Sequence, residues 1–293
     1  MEVGIIFPQN ELSGDPEAVR KFCLRAEEHG YGHLLIYDHV LGAEHAGREP
    51  KLTGPYTEND PFHDPFVMMS HIAALTKRIE MITGVLILPQ RQTALVARQA
   101  ADVDLFSGGR LKLGIGTGWN YVEYDALGQD YETRGKRQEE QIGLLRQLWT
   151  EPMVNFDGRF DKMDRVTLNP RPRRSIPILL GGYSNVALRR AARIGDGFIF
   201  AERLGRPTKL FERLKNMLEE EGRNLEGFVC HLNVELGCPV EDIVEKAEGW
   251  RELGGTHFSV TTMGRDYAAL DDHLRHMDGA AEVLSKAGLL PAS

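Results

Sequence analysis

The feature that most constrains the fold is an alternation of short apolar runs with segments of helical periodicity, repeated eight times along the chain. The strand candidates are residues 3–7, 33–37, 79–87, 111–116, 176–182, 197–201, 228–236 and 257–263. Most of these runs are apolar on both faces, which is typical of parallel strands covered by helices. Eight strand–helix units in a chain of 293 residues predict an α/β fold, a (β/α)8 TIM barrel. We therefore expect one barrel domain over residues 1–293.

Apolar stripes and helix starts support the helical half of this alternation. Asp precedes Pro in "GDPEAV" and "HDPFVM", where Asp caps the helix and the fixed φ of Pro suits its first turn. Two segments carry apolar residues at helical spacing. The stripes are Leu270, Leu274, Met277, Ala281 and Leu284 in the last helix, and Val96, Ala100, Val103 and Phe106 in an earlier one.

Composition argues against several classes of function. A net charge of −8 without a Lys/Arg block argues against a nucleic-acid partner, which needs clustered positive charge. The apolar runs are too short to cross a bilayer and the first residues do not resemble a signal peptide, so we expect no membrane partner and a cytoplasmic location. The three cysteines show no CxxC or Cys/His spacing, so neither a disulfide framework nor a zinc site is indicated.

Asp38 and His39 follow the second predicted strand directly, in the stretch "LLIYDHVLG". Chemistry in a (β/α)8 barrel is carried by residues at the C-terminal ends of its strands, so this pair lies where functional residues are expected. Position alone leaves a second interpretation open, in which Asp38 caps a loop and His39 forms only local hydrogen bonds.

Glycines mark two further strand ends. In "GIGTGWN" (114–120) three glycines at alternate positions allow close approach of a ligand, although they also suit a tight barrel corner and lack the spacing of a dinucleotide fingerprint. In "LLGGYSN" (179–185) two glycines precede a helix that begins at Ser184 or Asn185, and its free N–H groups predict a phosphate or anion site. The alternative here is a glycine turn with a serine cap.

The segment 41–64 is too long for an ordinary strand-to-helix connection and predicts a lid over the barrel mouth. It also contains His45, Asp60, His63 and Asp64, which are metal-ligand types without regular spacing. Because Asp64 is already explained as a helix cap, we expect no metal site.

In order and spacing, four segments resemble the luciferase-like monooxygenase superfamily, specifically its probable F420-dependent oxidoreductase branch. They are "YDHV", the long stretch from "TGVLILPQRQ" to "GIGTGW", "LLGGYSNVALRRAARIGDGF" and "GGTHFSVTTMG", so the resemblance covers nearly the whole chain. Members of this superfamily are (β/α)8 barrels that hold a flavin or the deazaflavin F420 at the C-terminal face. The resemblance thus implies the same fold as the strand–helix alternation.

The resemblance also implies roles for individual residues around the reactive ring. Asp38 and His39 match the Asp-His pair near the reactive part of the deazaflavin, with His39 giving or taking the proton that balances hydride transfer. Asp38 would orient the imidazole or bond to the ring. Gly84 and Val85 match a place where the superfamily often has a non-prolyl cis peptide against the ring, with a β-bulge at Gly84 as the alternative.

Other matches concern the remainder of the cofactor and the substrate. Thr117 and Gly118 match positions beside the pyrimidine and ribityl groups. Trp119 stands where the glucose-6-phosphate dehydrogenase of this family has a glutamate after "GTG", which argues against a sugar-phosphate reaction and favours a flat, apolar substrate surface. The phosphate-contacting loop and helix start are matched by Gly181, Gly182, Ser184 and Asn185.

Together these observations predict an F420-dependent oxidoreductase that transfers a hydride between the deazaflavin C5 and a small organic substrate. Two alternatives remain open: an FMN-dependent monooxygenase with a partner reductase, and a non-catalytic protein that binds a flavin or metabolite. An unrelated metal-dependent hydrolase is disfavoured, because "IIFPQN" has no HxH pair at the end of the first strand. The resemblance further implies a homodimer.

Overall fold

The computed structural model of the chain describes residues 1–12, 14–267 and 269–291. Its strands are β1 (Glu2–Ile6), β2 (His33–Ile36), β3 (Glu80–Thr83), β4 (Leu86–Ile87), β5 (Leu111–Gly116), β6 (Val154–Asp157), β7 (Lys162–Val166), β8 (Ile178–Gly181), β9 (Gly197–Ala201), β10 (Val229–Asn233) and β11 (His257–Thr261). Its α-helices are α1 (Pro16–Glu28), α2 (Pro65–Leu75), α3 (Thr93–Ser107), α4 (Tyr121–Ala126), α5 (Arg134–Thr150), α6 (Asn185–Ile194), α7 (Pro207–Glu220), α8 (Ile243–Glu252) and α9 (Leu270–Lys286).

All strands except β6 and β7 form one parallel sheet that closes on itself. The first and last strands close the ring, with Glu2 opposite His257 and Ile6 opposite Thr261. Strands β3 and β4 occupy one position in the ring, because both pair with β5. The ring therefore has eight positions with helices between them, and the predicted (β/α)8 barrel is confirmed.

The barrel interior is filled by side chains from different strands, as the closure of eight strands requires. Its apolar cluster consists of Ile6, Leu35, Ile82, Leu179, Ile199 and Met263. A second, larger core lies between the sheet and the helices. At Gly114 on β5 there is no room for a side chain, since a Cβ atom would overlap the carbonyl oxygen of Thr83.

The predicted helix caps are present. Asp15 accepts a hydrogen bond from the N–H of Glu17, and Asp64 accepts from Phe66 and Val67. The stripe of α9 packs into the core. The stripe of α3 is buried except for its last member, Phe106, which is 74% exposed. That prediction was wrong because a rotation of roughly 100° per residue places Phe106 about 80° from the line of the other three side chains.

Two differences concern the strands. The run 79–87, predicted as one strand, is interrupted between β3 and β4 at Gly84 and Val85. The antiparallel hairpin of β6 and β7 was not predicted, because its residues are mostly exposed or half-buried and show no clear apolar alternation. It lies between α5 and β8, outside the barrel sheet.

Cys23, Cys230 and Cys238 are free and buried, and burial raises the pKa of all three thiols, that of Cys238 to about 11. They are therefore inert side chains of the core. Over the described ranges, every helix is too short or too polar to cross a bilayer.

The close contact at Gly114 gives a test of the barrel wall. We expect Gly114→Ala to lower the free energy of unfolding by about 3 kcal/mol, because the new methyl group meets backbone rather than a movable side chain. Gly143 is the control: it lies within α5 with open space around it, so Gly143→Ala should raise stability by about 0.5–1 kcal/mol. Urea unfolding of both variants measures this, and equal stability of the two would contradict the packing at Gly114.

Candidate active site

A cavity of about 580 Å³ opens at the C-terminal ends of the barrel strands. It has room for a ligand the size of a cofactor ring system. Its walls come from the ends of β2, β5, β8 and β9, from the junction of β3 and β4, and from the segment after β2. The lining residues are Tyr37, Asp38, His39, Pro55, Tyr56, Gly84, Val85, Ile87, Gly116, Thr117, Gly118, Trp119, Tyr131, Arg134, Gly181, Gly182, Tyr183, Ser184, Ala187, Arg203 and Leu204.

The floor of the cavity is built around the side chain of Val85. The peptide between Gly84 and Val85 is cis, as the family resemblance implied, and not an ordinary bulge. A Cβ atom at Gly116 would lie 2.5 Å from Cγ2 of Val85, and one at Gly181 would lie 2.7 Å from its Cγ1. Both neighbouring strand ends must therefore be glycine for Val85 to take this position. The result is a smooth floor that a flat ring could contact.

His39 lies at the side of this cavity within a group of aromatic rings. Its imidazole is 4.9 Å from the ring of Phe62, 5.2 Å from Tyr56 and 5.7 Å from Trp119, measured between ring centres. The side chain is only 9% exposed. The packing restricts the ring to one orientation, with Nδ1 directed away from the cavity toward Glu123 at 3.2 Å.

Glu123 is the site residue that sequence reasoning missed. It lies on α4, is 1% exposed, and accepts backbone N–H groups of Val40 at 2.5 Å and Leu41 at 3.1 Å. Burial alone would raise the pKa of this carboxyl group, but the hydrogen bonds from His39 and the two backbone amides outweigh burial and lower it. The only signal in the sequence is an Asn at 120 three residues before Glu123, a spacing that predicts a capping box.

Asp38 is also fully buried, but it does not contact the imidazole of His39. Its Oδ1 pairs with Arg91 at 2.7 Å, and its Oδ2 accepts the N–H of Ile87 at 2.8 Å. Arg91 also reaches Asp64 at 3.1 Å. Burial raises the pKa of Asp38, and Arg91 and the Ile87 amide oppose that effect. The expectation that Asp38 orients His39 is thus replaced by a contact to Glu123, because adjacent side chains at a strand end point in opposite directions.

The predicted anion site lies at the start of α6. Ser184 caps the helix, its hydroxyl accepting the N–H of Ala187 at 3.2 Å. The first amides of a helix have no intrahelical acceptor, so this end can hold an anion. Asn185 begins the helix but is not part of the cavity wall; it lines a small groove beside it. Arg134 faces the same cavity, with its guanidinium carbon 3.6 Å above the ring centre of Tyr131.

The segment 41–64 covers the cavity mouth. Tyr56 packs on Phe62 with ring centres 4.9 Å apart, and Gly54 lies so close to Trp119 that a side chain there would overlap the indole. The hydroxyl of Tyr121 donates to the carbonyl of Pro50 at 2.6 Å. These contacts fit the predicted role as a lid.

Three of the four lid residues of metal-ligand type have other partners. His45 Nε2 contacts the carbonyl of Tyr56 at 2.9 Å, Asp60 accepts from Thr57, and Asp64 caps α2. Within the described ranges, the group of side chains close enough to share a metal ion is Glu2, Glu80 and His257, with ligand atoms within 4.8 Å of one another. It lies at the opposite end of the barrel, and Lys112 already contacts Glu80 there.

Two phenols and one cation, Tyr37, Tyr56 and Arg203, also line the cavity. Burial raises the pKa of Tyr37 and Tyr56, so both stay protonated and can donate hydrogen bonds at neutral pH. Arg203, after β9, lies against the hydroxyl of Tyr56, although its charge lowers that pKa only in part. The cavity therefore combines an apolar floor with hydrogen-bond donors in its walls.

These features define a (β/α)8 barrel with a preformed cavity at the C-terminal ends of its strands. The family model described as luciferase-like monooxygenase matches residues 1–286. An uncharacterised protein of Mycobacterium tuberculosis is 32% identical over 88% of this chain and 91% of its own length. The chain belongs to the luciferase-like monooxygenase family.

Characterised relatives and solved structures agree with this assignment. An F420-dependent glucose-6-phosphate dehydrogenase of Gordonia bronchialis is 31% identical over 77% of this chain, and the match spans 65% of that enzyme. The crystal structure of the monooxygenase RslO1 from Streptomyces bottropensis superimposes with a TM-score of 0.76 at 19% identity, covering 98% of this chain and 100% of RslO1. The chain is thus an enzyme of the oxidoreductase or monooxygenase type.

The buried pair of Asp38 and Arg91 gives a test of how the site is held. We expect Arg91→Met to lower the free energy of unfolding by about 3–5 kcal/mol, because it leaves the Asp38 carboxylate buried without its cation. The control is Lys162→Met, which removes an ion pair to Asp157 whose two side chains are 77% and 83% exposed, and should give no measurable change. Chemical denaturation compares the two variants, and a small loss for Arg91→Met would show that the pair is not structural.

Proposed function

We propose that this enzyme is an F420-dependent oxidoreductase that transfers a hydride between the deazaflavin C5 and a small organic substrate. The observation that supports this best is the juxtaposition of the glycine-lined floor at Val85 with the imidazole of His39 in one cavity. The same cavity reaches the start of α6. A planar ring carrying a phosphorylated side chain matches that shape.

The residues present fit such a cofactor. Gly116 and Gly181 leave the room that the Val85 side chain occupies, so its apolar surface can form a floor for a flat ring. Thr117 and Gly118 would hold the pyrimidine and ribityl side. The phosphate would bind at Gly182 and the helix start beyond Ser184, with Arg134 supplying a positive charge. When bound, the cofactor supplies a carbon that can give or accept a hydride.

His39 would supply the proton that balances hydride movement. Its Nδ1 is engaged by Glu123, which leaves Nε2 as the nitrogen able to give a proton to the substrate oxygen or take one from it. Tyr56, a neutral phenol beside His39, would orient the substrate by hydrogen bonding. The lid would exclude water while the transfer takes place.

The wall next to His39 points to an apolar substrate. Trp119 and Pro55 line the cavity there, and Phe62 packs behind the imidazole. A glutamate base at the position of Trp119, as the resemblance describes for the glucose-6-phosphate dehydrogenase, is absent from this sequence. We therefore propose a small organic substrate with a planar or apolar face rather than a sugar phosphate.

The second candidate is an FMN-dependent monooxygenase with a partner reductase. The same floor and helix start would also suit FMN, because the flavin and deazaflavin ring systems have the same shape. Both cofactors also carry a phosphate on the side chain attached to the ring. A non-catalytic flavin or metabolite binder is the third possibility. The aromatic residues around His39 favour catalysis over simple binding. A site that only binds the cofactor does not need an imidazole held beside the cofactor ring.

Cofactor titration separates these functions. We expect F420 fluorescence to be quenched on titration of the purified protein, with a dissociation constant at least tenfold below that for FMN. We then expect His39→Asn to bind F420 with nearly the same affinity but to lower the rate of reduced-F420 oxidation by on the order of 10²-fold or more, since general acid–base catalysis typically contributes that much.

The substrate panel for that assay is small ketones, enones and quinones. Gly181→Val is the matched variant on the floor: its side chain would meet Val85, so F420 binding should be lost while the folded state is retained. The proposal is wrong if FMN binds and F420 does not, or if His39→Asn oxidises reduced F420 as fast as the wild type.

The resemblance implies a homodimer, and we carry it as part of the proposal. Neighbouring helices α2 and α3 expose Val67, Leu95 and Phe106, which are 69%, 56% and 74% exposed. Contact between two copies would cover this apolar surface. We expect light scattering to give twice the mass of 32.9 kDa, and Phe106→Glu to shift the protein toward that single-chain mass. A monomer at micromolar concentration would contradict it.

A further inference from the structure

The carboxylate of Glu123 lies behind the imidazole of His39 and does not face the cavity. All of its contacts in the described structure are made with groups that donate hydrogen bonds. We propose that Glu123 is a positioning residue that keeps the proton of neutral His39 on Nδ1 and leaves Nε2 as the nitrogen that exchanges a proton in the cavity. This inference rests on the proposed function for its chemical meaning, but the state of the ring can be measured without it.

The carboxylate of Glu123 acts as a hydrogen-bond acceptor in each of its contacts. Oε1 accepts the backbone amides of Val40 and Leu41, and Oε2 accepts the side-chain amide of Gln90 at 3.1 Å as well as facing His39 Nδ1 at 3.2 Å. An ionised carboxylate can accept hydrogen bonds but cannot donate one. The proton between the two groups must therefore belong to Nδ1, which fixes the tautomer of the imidazole.

Electrostatics supports an ionised Glu123. The carboxyl group is buried, which would raise its pKa, yet His39 and the backbone amides of Val40 and Leu41 lower the pKa below the ordinary value for glutamate. The carboxylate lies on the Nδ1 side of the ring, 3.2 Å from that nitrogen. When Nε2 receives a proton, the resulting cation thus has a counter-ion already in place, and no side chain has to move.

Other charged or titratable groups near His39 are already engaged. Asp38, its chain neighbour, is paired with Arg91 and directed away from the imidazole. Tyr56 stays a neutral phenol, and Arg203 lies beyond it at the rim. His45 lies behind the indole of Trp119, with Nε2 at the carbonyl of Tyr56. Glu123 is therefore the anion in direct contact with the imidazole, within the residues the structure describes.

Glu123 also holds the beginning of the lid through two backbone amides, so a purely structural role must be separated from positioning. Glu27 offers a matched control. Its carboxylate accepts the backbone amides of Lys77, Arg78 and Ile79 at 2.7–2.9 Å, at the opposite end of the barrel and without a histidine. A change from Glu to Gln at either position removes one charge and weakens a comparable set of amide contacts.

The test is nitrogen NMR of uniformly labelled protein, in which the ring nitrogens report the tautomer directly. The chain has ten histidines, so the His39 signals are assigned by their loss in His39→Asn. We expect wild-type His39 and Glu27→Gln to carry the proton on Nδ1. In Glu123→Gln the amide can donate to Nδ1, so we expect the proton to move to Nε2.

Activity gives the second readout. Glu123→Gln should lower the rate of reduced-F420 oxidation by on the order of 10²-fold with the fastest substrate of the panel, mainly in kcat rather than KM. F420 affinity should change by less than about threefold, because Glu123 does not line the cavity. The pH profile of kcat should also shift, which a merely structural loss would not cause.

Several results would overturn the inference. One is a wild-type His39 with its proton on Nε2, a measurement that needs no variant to fold. Another is a Glu123→Gln protein that keeps both the Nδ1 proton and the wild-type rate. If the protein binds neither F420 nor FMN, the proposed function fails, whereas the tautomer measurement still decides whether Glu123 positions the imidazole.

Discussion

The geometry of the site depends on the buried ion pair between Asp38 and Arg91. One oxygen of Asp38 holds Arg91, and the other holds the backbone N–H of Ile87, two residues beyond Val85. Arg91 continues the link to Asp64, where the lid ends and α2 begins. A single buried pair thus connects the end of β2, the floor of the cavity and the base of the lid. Because breaking such a pair leaves a charge in the interior, these three parts are fixed relative to one another.

The site contains two buried carboxylates, Asp38 and Glu123. From the sequence, Asp38 alone was expected to contact His39, whereas in the structure Glu123 makes that contact. Asp38 adjoins His39 in the chain, which suggested a pair acting together, but the strand end directs the two side chains apart. Glu123 is 84 residues from His39 and is brought to it by α4. Asn120 and Glu123 have the spacing of a capping box, and Asn120 does cap the helix. Its glutamate partner turns instead to the imidazole and the lid.

Much of the fold followed from the sequence because its signals are local. Parallel strands buried on both faces give continuous apolar runs, and Asp–Pro pairs such as Asp64 and Pro65 mark helix starts. The glycines at 116 and 181 were visible as strand ends, but the reason for them, the side chain of Val85, is a contact between distant segments. The hairpin of β6 and β7 was not predicted, because its largely exposed residues show no alternation of apolar and polar side chains.

Comparison with a second histidine bears on the proposed role of His39 as a proton carrier. His33 also has a carboxylate on Nδ1, that of Glu2 at 2.8 Å, so the same pair of groups occurs at the other end of the barrel. There the second nitrogen is bonded to the hydroxyl of Ser259 at 2.8 Å, and the ring is fully buried. Burial lowers the pKa of His33, against the opposing effect of Glu2.

Both histidines have a carboxylate on Nδ1, so His39 and His33 differ in whether a ligand can reach the ring. Around His33 the barrel interior is closed, and His231 and His257 pack against its ring at 4.8 and 5.5 Å. Burial and the neighbouring His33 lower the pKa of His257 to about 3, so that cluster stays neutral and holds the barrel together. At the mouth, the ring of His39 lines the cavity while its Nδ1 contacts Glu123. The proposed proton transfer needs a carboxylate–imidazole pair whose second nitrogen can reach a ligand, and His39, which lines the cavity at the C-terminal end of β2, is the one of these two histidines placed for it.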